Sequence, residues 1–201
     1  GIRSGNNSIV FMSDKKIVEA LKKLGEDHED AVNYHVVGCY ECGGNGELTC
    51  SCSTRVNLPK ALELALNQGK DMLTGKQIGL ACDSVFENYD ALYSEFIRQM
   101  LHLCNSGIKA TDLYEANYKY IHSAPFFSGT YTSALEKGGD SYCDYTAKYN
   151  NSSLNAIGIA TGVDSLVAIN KVVFEDKALT MEQLMEILRA NWEGNEQLRL
   201  L

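Results

Sequence analysis

Between residues 38 and 56 the sequence loses every regular periodicity, and the rest of the chain must fold around that break. The stretch holds four glycines (Gly38, Gly43, Gly44, Gly46) and four cysteines (Cys39, Cys42, Cys50, Cys52). Neither the two-residue alternation of a strand nor the 3.6-residue stripe of a helix runs through it. It reads as a long loop, and long loops in compact domains are often functional.

The flanks are regular. Ser8-Ile9-Val10-Phe11-Met12 predicts a short buried strand, and Ser13 then caps a helix carrying Ile17, Val18, Leu21 and Leu24 that stops at Gly25. An acidic loop, residues 26–30, leads to a second strand-like run, Tyr34 to Val37. After the break, Asn57 caps a helix with Pro59 in its first turn and an apolar stripe of Leu58, Ala61, Leu62, Ala65 and Leu66. Tyr89, Leu92, Tyr93, Phe96, Ile97, Met100 and Cys104 trace one face of a longer helix. Residues 123–155, rich in Gly, Ser, Tyr and Asn, read as extended loops. Helical patterning returns at Val163, and Thr180-Met181-Glu182-Gln183 is a capping box opening a last helix with Leu184, Ile187, Leu188 and Trp192, before Gly194. Short strands alternating with amphipathic helices indicate an α/β architecture, without choosing between an open sheet and a barrel.

With 201 residues, 45% of them hydrophobic, the chain can bury one sizeable core or form a large piece of something bigger. A formal charge of −8 argues against non-specific nucleic-acid binding and against docking on an anionic membrane. It suits a protein acting on a small molecule. No apolar run approaches the ~20 residues of a membrane-spanning helix. The start, Gly1-Ile2-Arg3-Ser4-Gly5, has neither an initiator Met nor a signal peptide's apolar core, so an internal starting point is expected. Seven cysteines, an odd total with four clustered, suit the reducing cytoplasm better than a disulfide framework.

The cysteine cluster admits several chemistries. Cys39-X-X-Cys42 and Cys50-X-Cys52 could close a tetrahedral metal site, although seven intervening residues are fewer than zinc ribbons use. A thioredoxin-like pair lacks a helix starting at the motif to lower the first thiol's pKa. A Cys/His hydrolase would have to recruit His35. Inert cysteine suits Cys82, Cys104 and Cys143. Glu41 offers another reading: in an extended loop residues i and i+2 point the same way, so the Cys39 thiol and the Glu41 carboxylate could address one substrate from one side.

Val37-Gly38-Cys39-Tyr40-Glu41 resembles the Gly-Cys-X-Glu active-site loop of glycyl radical enzymes, the pyruvate formate-lyase-like superfamily. The helix sequence from Asn57 to Gly69 resembles the helix after that loop. Ala147-Lys148-Tyr149-Asn150, residues 162–169 and Val173-Phe174-Glu175 are similar to later family segments. Asn191-Trp192-Glu193-Gly194 stands where the family usually shows Asn-Phe-Glu-Gly.

The resemblance implies part of a ten-stranded α/β barrel with the cysteine on a finger loop inside it. Residues 1–160 would be the C-terminal part of the barrel domain, with the cysteine loop at 38–56, and residues 161–201 the helical start of the glycyl radical domain. It implies that Cys39 carries a thiyl radical that abstracts hydrogen from a small-molecule substrate. Glu41 points to the dehydratase and lyase branch, where the carboxylate takes a hydroxyl proton and a neighbouring group leaves. An arylacetate-type decarboxylase or formate acetyltransferase-like acyl transfer are the alternatives within the family, and a cysteine-rich metal-binding or structural module is the alternative outside it. Tyr40 and Cys42 depart from the usual Val and Pro, and Tyr40, Cys52 and Arg55 are candidate substrate contacts. An arginine salt-bridged at a helix entrance is the plainer reading of Arg55.

No metal or bound cofactor is implied in the chain itself. The radical would be installed by a radical S-adenosylmethionine activase. The family's radical glycine loop and long N-terminal half are absent from these residues, so the partners expected are the activase and the rest of the same polypeptide. The resemblance leaves room for a homodimer, and the chain alone is expected to show no turnover.

Overall fold

The computed structural model describes residues 2–5, 10–37, 41–83 and 85–200, apart from the side chains of residues 2 and 51–53. In chain order the elements are helices α1 (Asp14–Lys23) and α2 (His28–Val32), then strands β1 (His35–Val36), β2 (Cys42–Gly43) and β3 (Leu48–Asn57). Helices α3 (Leu58–Leu66), α4 (Tyr89–Glu115), α5 (Tyr118–Ile121), α6 (Pro125–Ser128) and α7 (Thr132–Lys137) follow. Strand β4 (Tyr149–Ile157) precedes α8 (Ile159–Ile169), which runs into a π-helical turn at Asn170–Glu175. Helices α9 (Met181–Arg189) and α10 (Glu196–Arg199) close the chain. β1 pairs antiparallel with β2, and β3 pairs with β4. These two-stranded sheets bear out a mixture of helices and strands, and among the described residues they form no closed barrel. No described helix is long and apolar enough to cross a membrane.

The chain divides into two compact units, Gly1–Ser53 with Thr111–Ser153, and Thr54–Ala110 with Leu154–Leu201. The second unit is an apolar helical core. Ala61, Leu62, Ala65 and Leu66 of α3 pack with Leu92 and Phe96 of α4, Leu166 and Ile169 of α8, and Leu184 and Met185 of α9. The helix ends explain why these stripes stay aligned. Asn57 accepts the Lys60 N–H at 3.2 Å, with Pro59 in the first turn, as the sequence predicts. Thr180 and Gln183 form the reciprocal capping box. Gly158, with φ 75°, lets the start of α8 pass close to α3, since a Cβ there would stand 2.8 Å from Pro59 Cδ. Buried Gln99 fastens the chain at Leu80: its Oε1 accepts the Leu80 N–H at 2.9 Å and its Nε2 donates to the Leu80 carbonyl at 2.6 Å.

The first unit is more polar. Its buried apolar residues include Leu21, Ala31, Leu48, Tyr118, Tyr131, Ala134 and Ala147. The rings of Tyr118, His122, Phe127, Tyr131 and Tyr142 meet one another, with Phe127 and Tyr142 stacked at 5.4 Å.

Five expectations need correction, the first being residues 123–155, which are not extended loops throughout but hold α6, α7 and most of β4. Residues 10–12 form no strand, and Val10 and Phe11 are exposed; Ser8 and Ile9 lie outside the described residues. The acidic stretch is not a plain loop, because α2 starts inside it and turns Asp30 inward. The aperiodic stretch is not one long loop: it contains β2, a 3₁₀ turn (Gly44–Gly46) and most of β3. Its Thr, Cys and Ser residues suit an extended chain but give no apolar alternation to read. The final helix stops at Arg189, and Asn191 and Trp192 both adopt left-handed backbone angles (φ 49° and 66°), so Trp192 is not part of it.

Candidate active site

The hairpin of β1 and β2 sets the geometry of the candidate loop. His35 stands opposite Gly43 and Val36 opposite Cys42, and the Val37 N–H donates to the Glu41 carbonyl at 2.8 Å. That bond closes the two legs immediately before and after residues 38–40. Glu41 is half-buried at the start of the second leg. Beside it, burial and then the negative charge of Glu41 push the Cys42 thiol pKa up. Cys42 is therefore kept as a neutral thiol, a poor nucleophile at neutral pH.

The second leg runs into a densely fastened segment. A Cβ on Gly43 would collide with the Leu48 side chain, and one on Gly44 would collide with Glu26 Oε2 and stand 2.9 Å from Asp30 Cβ. Only glycine fits at either position. Asn45 then takes a left-handed conformation (φ 49°) and reaches Asp30 Oδ1 at 3.5 Å. Glu47 accepts the Thr132 N–H at 2.9 Å and the Ser133 N–H at 3.3 Å, a carboxylate at the start of α7, while its own carbonyl accepts the Tyr149 N–H at 2.9 Å. The Tyr131 hydroxyl donates to the Leu48 carbonyl at 3.0 Å, and the Thr49 hydroxyl to Asn150 Oδ1 at 2.9 Å.

Behind this segment lies a charged group that sequence reasoning missed. Lys148 Nζ contacts Asp30 Oδ2 at 2.5 Å and Asp27 Oδ2 at 2.8 Å. The Tyr149 hydroxyl donates to Asp30 Oδ2 at 2.7 Å and accepts the Asp27 N–H at 3.0 Å. The bonds from Lys148 and Tyr149 hold the Asp30 pKa below its ordinary 3.8. Glu26 behaves oppositely: burial, then the charge of Asp30, raises its pKa above 4.5. It is only 8% exposed, and its Oε2 has no hydrogen-bond partner among the described residues. The partners lie more than a hundred residues apart in sequence, so no local pattern could reveal the group.

Of the five candidate residues, Glu41 is placed by the hairpin. Cys39 and Tyr40 lie outside the described residues, as does the Cys52 side chain. Arg55 is exposed on β3, in the second unit, and has no ion-pair partner among the described residues. His35 is exposed on β1. Of the inert candidates, Cys82 is half-buried with its pKa pushed up to about 11, by burial first and by a hydrogen bond to Glu95 second. No group of three or more His, Cys, Asp or Glu among the described residues could hold a metal.

The family described as pyruvate formate lyase-like matches residues 1–201, the whole of this chain. The chain belongs to the pyruvate formate lyase-like family. Among its relatives, the trans-4-hydroxy-L-proline dehydratase of Clostridioides difficile is 33% identical over 96% of this chain and 25% of its own length. The fold agrees as closely as the sequence. The structure of hydroxyproline dehydratase from C. difficile with trans-4-hydroxy-L-proline bound has a TM-score of 0.85 at 34% identity, covering 93% of this chain and 24% of that one. The glycerol-bound B12-independent glycerol dehydratase of Clostridium butyricum has a TM-score of 0.84 at 28% identity, covering 92% of this chain and 23% of that one. The chain thus spans about a quarter of the length of the relatives it matches. Those relatives are glycyl radical dehydratases and lyases, which makes the Gly-Cys-X-Glu resemblance one of family membership.

Proposed function

We propose that this chain supplies the cysteine–glutamate half of a glycyl radical dehydratase or lyase acting on a small hydroxylated substrate. The observation that carries the reading is the hairpin: in a pyruvate formate lyase-like chain, the bond from the Val37 N–H to the Glu41 carbonyl closes the legs that precede and follow the Gly-Cys-X part of the motif. Glu41 stands where it can follow a cysteine two residues earlier onto one substrate.

A glycyl radical elsewhere in the polypeptide, installed by a radical S-adenosylmethionine activase, supplies the hydrogen-atom vacancy. Cys39 gives up its S–H hydrogen and becomes a thiyl radical. The thiyl takes the hydrogen from the hydroxyl-bearing carbon, so an S–H bond forms as a C–H bond breaks. Glu41 accepts the hydroxyl proton, and the ketyl-type radical expels the neighbouring group with its bonding electron pair. The product radical then recovers a hydrogen atom from Cys39. Because the thiyl is not a nucleophile, Cys39 needs no depressed pKa. Tyr40, Cys52 and Arg55 would shape the pocket, with Arg55 able to pair with a substrate carboxylate or phosphate.

In this reading residues 1–160 belong to a ten-stranded α/β barrel and residues 161–201 open the glycyl radical domain. The protein works in the cytoplasm, needs the rest of its polypeptide for turnover and can assemble as a homodimer. The test uses full-length protein activated anaerobically and offered glycerol and 1,2-propanediol, vicinal diols that relatives of similar fold bind or dehydrate, as first substrates. An electron paramagnetic resonance doublet should appear, and Cys39→Ser should keep it while abolishing turnover. Turnover by Cys39→Ser would overturn the reading. Stoichiometric zinc or iron lost on Cys42→Ser and Cys50→Ser would point to a metal module instead.

A further inference from the structure

The charged group behind the hairpin, with Glu26 and Asp30 buried and Lys148 partly exposed, has no part in the chemistry just described, yet it sits against the leg that carries Glu41. Three fastenings converge there. Glu26 and Asp30 fill the space that any side chain on Gly44 would need. Lys148 and Tyr149 both bond to Asp30 Oδ2, at 2.5 and 2.7 Å, tying α2 to the start of β4. The Tyr149 N–H bonds in turn to the Glu47 carbonyl at 2.9 Å, so β4 also holds the segment that follows the hairpin. Asp30, 7% exposed, is a carboxylate whose bonds leave it few alternative positions.

We propose that Lys148, Asp30 and Tyr149, with Glu26 behind Gly44, are positioning residues: a clamp on the hairpin's second leg that sets where Glu41 and the attached Cys39 stand. The inference rests on the reading of Cys39 and Glu41 given above. A two-residue ladder is a weak hairpin by itself, since isolated two-stranded hairpins are marginal in water. Precision at its tip must come from what holds its base. An active-site group displaced by about 1 Å can lose on the order of 100-fold in rate.

The experiment reads position without requiring the substrate. In D2O the Cys39 thiol becomes S–D, delivers deuterium to the radical glycine carbon and takes back hydrogen, so the α-hydrogen splitting disappears. The rate of that collapse in activated full-length protein reports how well Cys39 is placed, whereas the doublet's yield reports how much protein is folded and activated. Lys148→Met should slow the collapse on the order of tenfold at unchanged yield. Lys148→Arg, which keeps a cation that can bond Asp30, should restore it. Hydrogen exchange of the Val37 amide in unactivated protein should accelerate in Lys148→Met and not in Lys148→Arg. Lys60→Met, which breaks the Lys60–Asp71 ion pair in the other unit, should leave both measurements unchanged.

If Lys148→Met does not fold, Tyr149→Phe carries the test with a smaller slowing in the same direction. A lower radical yield with unchanged collapse and unchanged Val37 exchange would overturn the clamp and leave the Cys39 reading intact. Collapse at the normal rate in Cys39→Ser, or none in the unsubstituted protein, would overturn the Cys39 reading and the clamp with it.

Discussion

The two units of this chain are built on opposite chemistry. In the second, side chains from four helices meet in an apolar cluster, with polar bonds at helix ends and around Gln99 and Lys60. In the first, the segment around the hairpin is held by Lys148, Asp30, Tyr149, Glu47 and Tyr131 through hydrogen bonds and ion pairs. Apolar packing is non-directional and sets how stable a unit is. Hydrogen bonds fix angles and distances, so they set where a group stands. The comparison places stability in one unit and geometry in the other.

Substitutions in each unit should separate those two roles. The largest effect on stability belongs to the helical core. Leu92→Ala, at a site with no exposure, should cost about 2–5 kcal/mol in chemical denaturation, with the D2O collapse rate of the surviving radical unchanged. A slowed collapse in that variant would blur the division. Next comes Gly44→Ala, where the new methyl meets Glu26 and Asp30; overpacking of this kind costs about 1–3 kcal/mol, and here it should also slow the collapse. Tyr149→Phe removes one bond to Asp30 and should cost about 1 kcal/mol, read as faster Val37 amide exchange.

The smallest effects are pH-dependent and opposite in sign. Asp30 has a lowered pKa, so its contribution is complete above its ordinary 3.8 and disappears as pH falls through the lowered value. Glu26 has a raised pKa, so its contribution is complete below its ordinary 4.5 and is lost as pH rises through the raised value. Protection of the Val37 amide, corrected for intrinsic exchange, should therefore fall at both ends. Glu26→Gln should abolish the loss on the higher-pH side and keep the one in acid. A loss on the higher-pH side that survives Glu26→Gln would assign it to another group.

Legibility in the sequence followed the same division. The helical unit could be read because its information is local: Asn57 with Pro59, the Thr180 box and the α4 stripe are patterns a few residues wide. Even there Trp192 falls outside the helix, because Asn191, rather than Gly194, takes the left-handed position at the helix end, its N–H bonding the Leu188 carbonyl and that of Trp192 the Ile187 carbonyl. The hairpin unit resisted, since β3 carries small polar residues without alternation and the acidic run 26–30 looks solvated. Only the 118-residue link from Lys148 to Asp30 shows otherwise. The proposed catalytic pair rests on a motif three residues wide, Cys39-X-Glu41, while the charged groups near its hairpin come together only across more than a hundred residues.

The central claim is that Glu41 turns hydrogen abstraction into elimination, and Glu41→Gln tests it most directly. Activated full-length protein carrying that change should keep its doublet and its collapse in D2O, because Cys39 is untouched. It should lose elimination from whichever of glycerol or 1,2-propanediol the unsubstituted protein converts. Elimination at an undiminished rate in Glu41→Gln would contradict the account.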